Sequence, residues 1–418
     1  MTALEDQTVY IVGAGIVGIC SAIYLQNAGR RVIVIDGSQP GSGASFGNGG
    51  MLSVDSFSPM AMPGMVRNVP KWLADPLGPL ALRPSYLPKV APWLLRWIAA
   101  SRMSVVRSSA QALRSLNSQS MILYRELLGD VVFRDLITAQ GSLQVWESEA
   151  VSKSQRVAAS LRAEFGVEAE NLTGDQCRDL VPELSPNVLR GIYFPRNGHT
   201  TSPSQLIQAL VKRFHESGGK ILQERVLRIV PNGDGGAILW TEIDNHVAKT
   251  LIVAAGAYAN ELLAPINVSL PLEAERGYHI NAIASFAPRM PILHPDFGIG
   301  VTPMSEGVRI AGTVELSGVR SPADEKRADA LLLRASSLFP AQEILIGRRW
   351  VGSRPSLPRS VPVIGQLPGV GRLYAAVGHG HYGMMAAPAT GKLLAEIVTG
   401  QPPSVDPEQF SFQRAWQI

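Results

Sequence analysis

Cysteine is nearly absent. Cys20 and Cys177 are the only two in 418 residues, too few and too far apart for a disulfide framework or a CxxC metal site, and such a chain suits a reducing compartment. No metal site is expected. Charge is sparse as well: 17% of residues are charged, and 38 Lys+Arg against 34 Asp+Glu leave +4 with no Lys/Arg block, so nucleic-acid binding has no electrostatic footprint. Long apolar runs are missing too. The best stretch, Trp93-Leu-Leu-Arg-Trp-Ile-Ala-Ala100, is interrupted by Arg96 and falls short of the ~18 residues a spanning helix needs. Met1 to Gln7 carries two acids and no basic segment, unlike a secretory signal, so cytoplasmic residence is expected. What is present is 46% hydrophobic residues with 40 Gly and 30 Pro, the composition of a compact globular protein of two or three domains or one large interleaved fold.

Thr8-Val-Tyr-Ile-Val12 is a short β-branched run that ends in Gly13-Ala-Gly-Ile-Val-Gly18 and leads into the apolar stretch Ile19 to Leu25. The helix stops at Asn27-Ala-Gly29, and Arg31-Val-Ile-Val-Ile-Asp36 follows as a second buried strand ending in an acid. Residues 8–36 thus read as a βαβ unit. In its turn Gly13 permits a tight bend, Gly15 lets backbone approach a pyrophosphate, and Gly18 allows helix and strand to pack closely. Asp36 stands where ribose hydroxyls are held, and an acid there argues against a 2′-phosphate and so against NADP. The unit alone leaves NAD and FAD open.

A small-residue loop, Gly37 to Gly50, follows, rich in positions where backbone can approach a ligand. From Ser58 to Pro92 the composition shifts to repeated prolines, with Trp72, Trp93 and Trp97 nearby, and reads as an insertion outside the nucleotide fold; a helical pattern then runs from about Ser104 to Leu128. Ser202 caps a helix with Pro203 in its first turn and Ile207, Leu210, Val211 and Phe214 on one face. Strands are expected at Lys220 to Arg225, Ala237 to Ile243 and Thr250 to Ala255. Arg372 to Gly383 reads as a strand entering a Gly/His loop, with a helix from Ala386 to Val398.

Gly43-Ala-Ser-Phe-Gly-Asn-Gly-Gly-Met-Leu52 resembles the loop over the flavin in the glycine oxidase/D-amino-acid oxidase superfamily. Leu251-Ile-Val-Ala-Ala-Gly-Ala-Tyr258 is similar to a later strand of its FAD domain. Trp350-Val-Gly-Ser-Arg-Pro-Ser-Leu-Pro358, Val361-Pro-Val-Ile-Gly365 and Gly378-His-Gly-His-Tyr-Gly-Met384 resemble its C-terminal signature. Leu82-Arg-Pro84 within the Trp- and Pro-rich insertion points to the small-subunit type of FAD-dependent D-amino-acid dehydrogenase, which usually carries Gly-Thr-Leu-Gly where this chain has Gly380-His-Tyr-Gly383. The likeness spans the chain, strongly at both ends and weakly between about 100 and 240.

The resemblance implies an α/β architecture: a Rossmann-like FAD-binding domain from residues 1–60, 152–265 and 355–418, interleaved with an α+β substrate domain on a mixed or antiparallel sheet from 61–151 and 266–354. FAD is the implied cofactor. Its implied contacts are Gly13, Gly15, Gly18, Asp36, Ser45, Asn48, Gly50, Met51, Val226, Gly256, Gly378, Gly380, Gly383 and Met384. The implied activity is oxidative deamination of a D-amino acid, or of a cyclic imino acid such as D-proline or hydroxyproline, by hydride transfer from substrate Cα to flavin N5. A glycine- or sarcosine-type amine oxidase is the alternative. Electrons would pass to oxygen or a quinone-linked chain.

Such chemistry asks the protein for orientation and electrostatics, since the flavin handles the electrons. A substrate carboxylate is held best by a guanidinium, whose two parallel charged hydrogen bonds set angle as well as distance; Arg354, in the Gly-x-Arg-Pro motif, is the candidate. Tyr278, in Arg276-Gly-Tyr-His279, is a candidate hydroxyl for the substrate. His379 and His381 sit between glycines at a turn expected to face the flavin, where a donor would favour negative charge. Cys20 reads as core. Two other classes fit parts of the chain: a nicotinamide-dependent dehydrogenase sharing only the first βαβ unit, and a serine hydrolase, since Gly43-Ala-Ser-Phe-Gly47 formally satisfies GxSxG with Ser45 as nucleophile. The Pro/Trp segment 58–100 is either a lid over the substrate or a docking surface for a partner or for the inner face of a membrane.

Overall fold

The computed structural model describes residues 8–75, 78–233, 235–369 and 371–418, so the reading of Met1 to Gln7 lies outside the described residues. Thr8–Val12 and Arg31–Ile35 are β-branched and buried along most of their length, as strands covered on both faces must be. Among the described residues they are the third and second strands of a six-stranded sheet in the order Lys220–Leu222, Arg31–Ile35, Thr8–Val12, Thr250–Val253, Leu373–Val377, Val363–Gln366. All neighbours are parallel except the last pair. Helices Ile16–Asn27, Pro203–Glu216 and Gly383–Thr399 cover one face, with Ile19, Ile23, Leu210, Phe214 and Leu393 in their shared core. An antiparallel meander, Val226–Pro231, Ala237–Thr241 and Asn245–Ala248, covers the other. Cys20 is buried and unpaired within the first core, as its helical position implied.

A second, nine-stranded sheet is largely antiparallel. One end of it is three long strands, Ile344–Ser356 at the edge, then Glu273–Ala284 and Gly307–Leu316, side by side. Helix Glu325–Leu338 packs Ala328, Leu331, Ala335 and Leu338 onto one face, against Tyr278, Ile280 and Ile310. The other face turns toward the nucleotide domain. A mixed sheet beside a parallel nucleotide fold is the expected architecture.

The boundaries between the domains differ from the expected ones. Ser142–Trp146, Glu170–Thr173 and Arg190–Phe194 pair with one another in the nine-stranded sheet, so the stretch 152–194 joins the second domain and not the FAD-binding one. Conversely, Leu113, Leu116, Leu123, Tyr124 and Leu127, assigned to the substrate domain, pack into the helical core of the first. A helical period marks the apolar face and says nothing about which layer it will meet. The helix expected over 104–128 is two, Met103–Asn117 and Ser120–Leu128, because buried Asn117 turns its side-chain amide to the Ser56 carbonyl and ends the first. The strand expected at 220–225 stops at Leu222, and Arg225 leads into the meander.

Candidate active site

One cavity of about 1470 Å³ runs from the turn after Thr8–Val12 to the nine-stranded sheet. At its nucleotide end Gly13 has φ +115, and a Cβ there would strike the Ala254 carbonyl; a Cβ at Gly18 would strike the Gly13 carbonyl. Only glycine lets strand, turn and helix approach this closely. Asp36 lines the same end and accepts from Ala14 N at 2.7 Å and Ser38 N at 2.9 Å. Gly15 lines the cavity, whereas Gly18 acts behind it through packing.

Ser45 does not meet the geometry of a nucleophile. Its Oγ accepts from Ile16 N at 3.0 Å and so tethers the loop to the helix start, while the residues around it form turns with neither the strand nor the helix of a nucleophile elbow. Asn48 Oδ1 accepts from Gly50 N at 2.8 Å. Asn48 and Met51 line the cavity; Gly50 stands behind it with φ +76.

The second domain fastens this loop from outside. Arg309 Nη1 donates to the Phe46 and Asn48 carbonyls at 3.2 and 2.8 Å. His279 Nδ1 donates to the Gly47 carbonyl at 3.1 Å while its ring stacks on Trp350 at 5.0 Å, and burial pushes its pKa down to about 3, so the imidazole is neutral. Gly47 lies against the Trp350 ring where no Cβ would fit. Sequence reasoning passed over Arg309 and gave Trp350 no role of its own, since nothing local marks a strand residue as the anchor of a loop more than two hundred positions away.

At the far end Arg354 lines the cavity. Its guanidinium lies over Gly277 and donates through Nη1 to the Thr313 carbonyl at 3.0 Å. Thr313, also in the lining, has φ +54, a conformation that strains a β-branched residue, and its buried Oγ1 has no partner. Glu275 stands directly opposite Arg354 in the antiparallel ladder and was missed in the sequence, one residue before the Arg276-Gly-Tyr-His279 stretch. Its Oε2 accepts from Ser356 Oγ at 2.9 Å and meets His381 Nε2 at 2.9 Å.

Tyr278 is a correction. Alternation along Glu273–Ala284 sends it to the opposite face, where its hydroxyl donates to Glu315 Oε2 at 2.5 Å and accepts from Asp324 N at 3.0 Å within the helix-packed core. It does not line the cavity. His379 does, yet its Nε2 is taken by Thr390 Oγ1 at 3.0 Å and burial lowers its pKa to about 3, leaving a neutral ring. His381, Gly380, Gly383 and Met384 line the cavity where helix Gly383–Thr399 begins, and Gly378 bends the chain behind them with φ +89. Val226 and Gly256 line the nucleotide side. From the insertion, Trp93 and Trp97 of helix Leu87–Ala100 form part of the wall, and Trp93 Nε1 donates to the Ser356 carbonyl at 3.2 Å.

These residues fit FAD. The glycine turn, a helix start and Asp36 match the needs of a pyrophosphate and ribose, while the loop 43–51 and the turn 378–384 flank the space beyond them. Among the described residues no group of three or more His, Cys, Asp or Glu could hold a metal, and no helix is long and apolar enough to cross a membrane.

The family model described as FAD dependent oxidoreductase (DAO) matches residues 8–397. The chain is 35% identical over 415 residues to a D-amino-acid oxidase of Bradyrhizobium diazoefficiens, covering 97% of this chain and 98% of that one. It is 28% identical over 418 residues to a D-amino acid dehydrogenase of Vibrio atlanticus, covering 97% and 99%. Glycine oxidase from Geobacillus kaustophilus matches with a TM-score of 0.73 at 22% identity, over 97% of this chain and 98% of that one, a likeness of fold.

Proposed function

The chain belongs to the DAO family of FAD-dependent oxidoreductases, and on that premise we propose that it oxidises the Cα–N bond of a free D-amino acid, or of a cyclic imino acid of the D-proline type, to an imine. Bound FAD supplies the two-electron acceptor for this oxidation. Gly13, Gly15, Asp36 and the start of helix Ile16–Asn27 would hold its dinucleotide part, and the loop 43–51 with the turn 378–384 would enclose the flavin. The product imine hydrolyses in water.

One observation carries the reading: the Arg354 guanidinium lines the cavity with no carboxylate of the described residues in an ion pair with it. A cation in that position costs desolvation unless an anion arrives, and a substrate carboxylate supplies one with two parallel hydrogen bonds. Burial lowers the Arg354 pKa and Glu275 raises it in part, yet a guanidinium stays charged. Trp93, Leu94 and Trp97 give the wall near the sheet an apolar character suited to a hydrophobic side chain.

The test is an anaerobic titration of the FAD-loaded protein with D-amino acids, L-amino acids and cyclic imino acids, read as bleaching of the flavin band. Bleaching by a D-compound is expected, and readmitting air then distinguishes oxygen from a quinone-linked acceptor. Arg354→Ala should raise KM about 10- to 100-fold, in line with the roughly 1.5–3 kcal/mol of a charged hydrogen bond. An unchanged KM and turnover would sink the assignment of Arg354.

The inserted segment supports a second proposal, peripheral contact with an anionic membrane surface. Helix Leu87–Ala100 turns Trp93 inward and leaves Leu87, Leu95 and Ile98 exposed, and Arg67, Lys71, Lys89 and Arg102, in or beside the inserted segment, are exposed too.

A further inference from the structure

We infer that Glu275 receives the α-ammonium of the substrate, as Arg354 receives its carboxylate, and that its free oxygen takes the proton that the ammonium must lose. The inference rests on the amino-acid reading above and adds to it a residue and a role.

Glu275 and Arg354 are register partners across two neighbouring strands, both on the cavity face. Side chains directly opposite in an antiparallel ladder have Cβ atoms about 4.5–5.5 Å apart, close enough for opposite charges to pair. Here they do not pair: among the described residues no ion pair joins them. Arg354 directs Nη1 to the Thr313 carbonyl, and Glu275 places both of its side-chain hydrogen bonds on Oε2. Oε1 is left without a hydrogen-bond partner in a residue that is 6% exposed and lines the cavity. The result is a buried anion and a partly buried cation side by side, each with unused hydrogen-bonding capacity. An α-amino acid carries its two charges on neighbouring atoms of one carbon and closes both at once. An amine-free carboxylate or a 2-hydroxy acid closes only one.

Every group facing Glu275 favours its ionised form except burial and a like-charged neighbour. His381 and Ser356 hydrogen-bond it, Arg354 attracts it, and together they hold the carboxyl below its ordinary range. Glu273, two residues earlier, is drawn to Tyr86 at 3.0 Å and lies above its ordinary range through burial. Tyr382 spends its hydroxyl on the Ser58 carbonyl at 2.5 Å, and His379 is neutral and bound to Thr390. His381 holds Oε2 of the same carboxylate, and its side chain is 27% exposed, so this side of Glu275 leads toward solvent.

The step balances without a co-reactant. One N–H bond of the ammonium breaks, its electron pair stays on nitrogen, and the proton passes to Glu275 Oε1, while His381 Nε2–H stays on Oε2. The lone pair so freed becomes the second C–N bond when Cα is oxidised. Arg354 assists by making the neutral amine the better-tolerated neighbour.

The experiment uses the FAD-loaded enzyme and its Glu275→Gln variant, which keeps the shape and removes the charge. Perturbation of the flavin band gives Kd for D-leucine, or whichever panel amino acid bleaches the flavin, and for its amine-free counterpart, 4-methylpentanoate in the case of D-leucine. Glu275→Gln should weaken the amino acid at least 10-fold and leave the amine-free carboxylate within about 3-fold. The pH profile of kcat/KM should shift its rising limb toward the pKa of the free amine, since only substrate already neutral in solution reacts. Glu275→Asp, with the charge retained, should recover part of both losses and serves if the Gln variant loses FAD. Equal loss for both ligands, or an unmoved pH limb, overturns the inference. An amino acid panel that neither bleaches nor perturbs the wild-type flavin overturns the amino-acid reading instead.

Discussion

The guanidinium of Arg354 rests on Gly277, and a Cβ at that glycine would come within 2.2–2.3 Å of Cζ and both terminal nitrogens. Glycine in a strand interior marks such a close approach. Gly277→Ala should therefore reproduce the defect of an Arg354 variant without touching Arg354: KM raised about 10-fold or more, FAD retained, Tm little changed. The measurement is KM beside the flavin absorbance of the purified protein. A variant with wild-type KM would show that Arg354 can leave Gly277 and still bind substrate.

Strand, turn and acid from Thr8 to Asp36 were legible because their chemistry is local: β-branched residues, glycines at set spacing and an acid at a strand end. The second Gly/His turn was legible for the same reason. What escaped was set by pairing between distant strands. Tyr278 and Glu275 lie three residues apart in one strand, and alternation places one in the core and the other at the cavity, a parity that cannot be read until the strand's partners are known. The domain limits near 103–128 and 170–194 failed likewise, since an amphipathic pattern does not name the layer it packs against.

Ser45→Ala separates the two roles that its sequence context allowed. The hydroxyl accepts from Ile16 N, so its loss frees one backbone donor at a helix start, a cost of about 0.5–2 kcal/mol. Weaker FAD retention, by about 3- to 30-fold in Kd, is expected with turnover of the reconstituted enzyme preserved. Abolished turnover in fully loaded protein would restore the nucleophile.

Four buried histidines make stability fall in mild acid. Burial lowers His279 and His379 to about 3 and His199 and His294 to about 4, against about 6.5 in an unfolded chain. Between these limits the unfolded state binds protons that the folded state does not. The stabilisation is thus present in full above pH 6.5 and declines as pH falls, by about 1.4 kcal/mol per pH unit for each histidine. Glu273 and Asp296, raised by burial, work in the opposite sense near the carboxylate range. Tm should drop steadily from pH 6.5 to 5, and His199→Gln, outside the cavity, should make the slope shallower. An equal slope in that variant would mean that His199 titrates normally in the fold.

The exposed face of helix Leu87–Ala100 offers the last prediction. Leu87, Leu95 and Ile98 stand outward at 45%, 68% and 43% exposure, and Arg67, Lys71, Lys89 and Arg102 lie in the same inserted region, where Asp75 is tied to Arg334 at 2.7 Å. Each cation near an anionic lipid surface contributes about 1 kcal/mol, a term that salt screens, while the three apolar side chains can enter the headgroup boundary. Flotation with vesicles containing an anionic lipid should succeed at low salt, fail with purely zwitterionic vesicles, and be reversed by raised salt. Leu95→Glu with Ile98→Glu should abolish it and leave turnover intact, since both side chains point away from the cavity. If the wild type stays unbound at every salt concentration, while the double variant changes its mass in solution, the face joins two copies of the chain and the membrane contact is wrong.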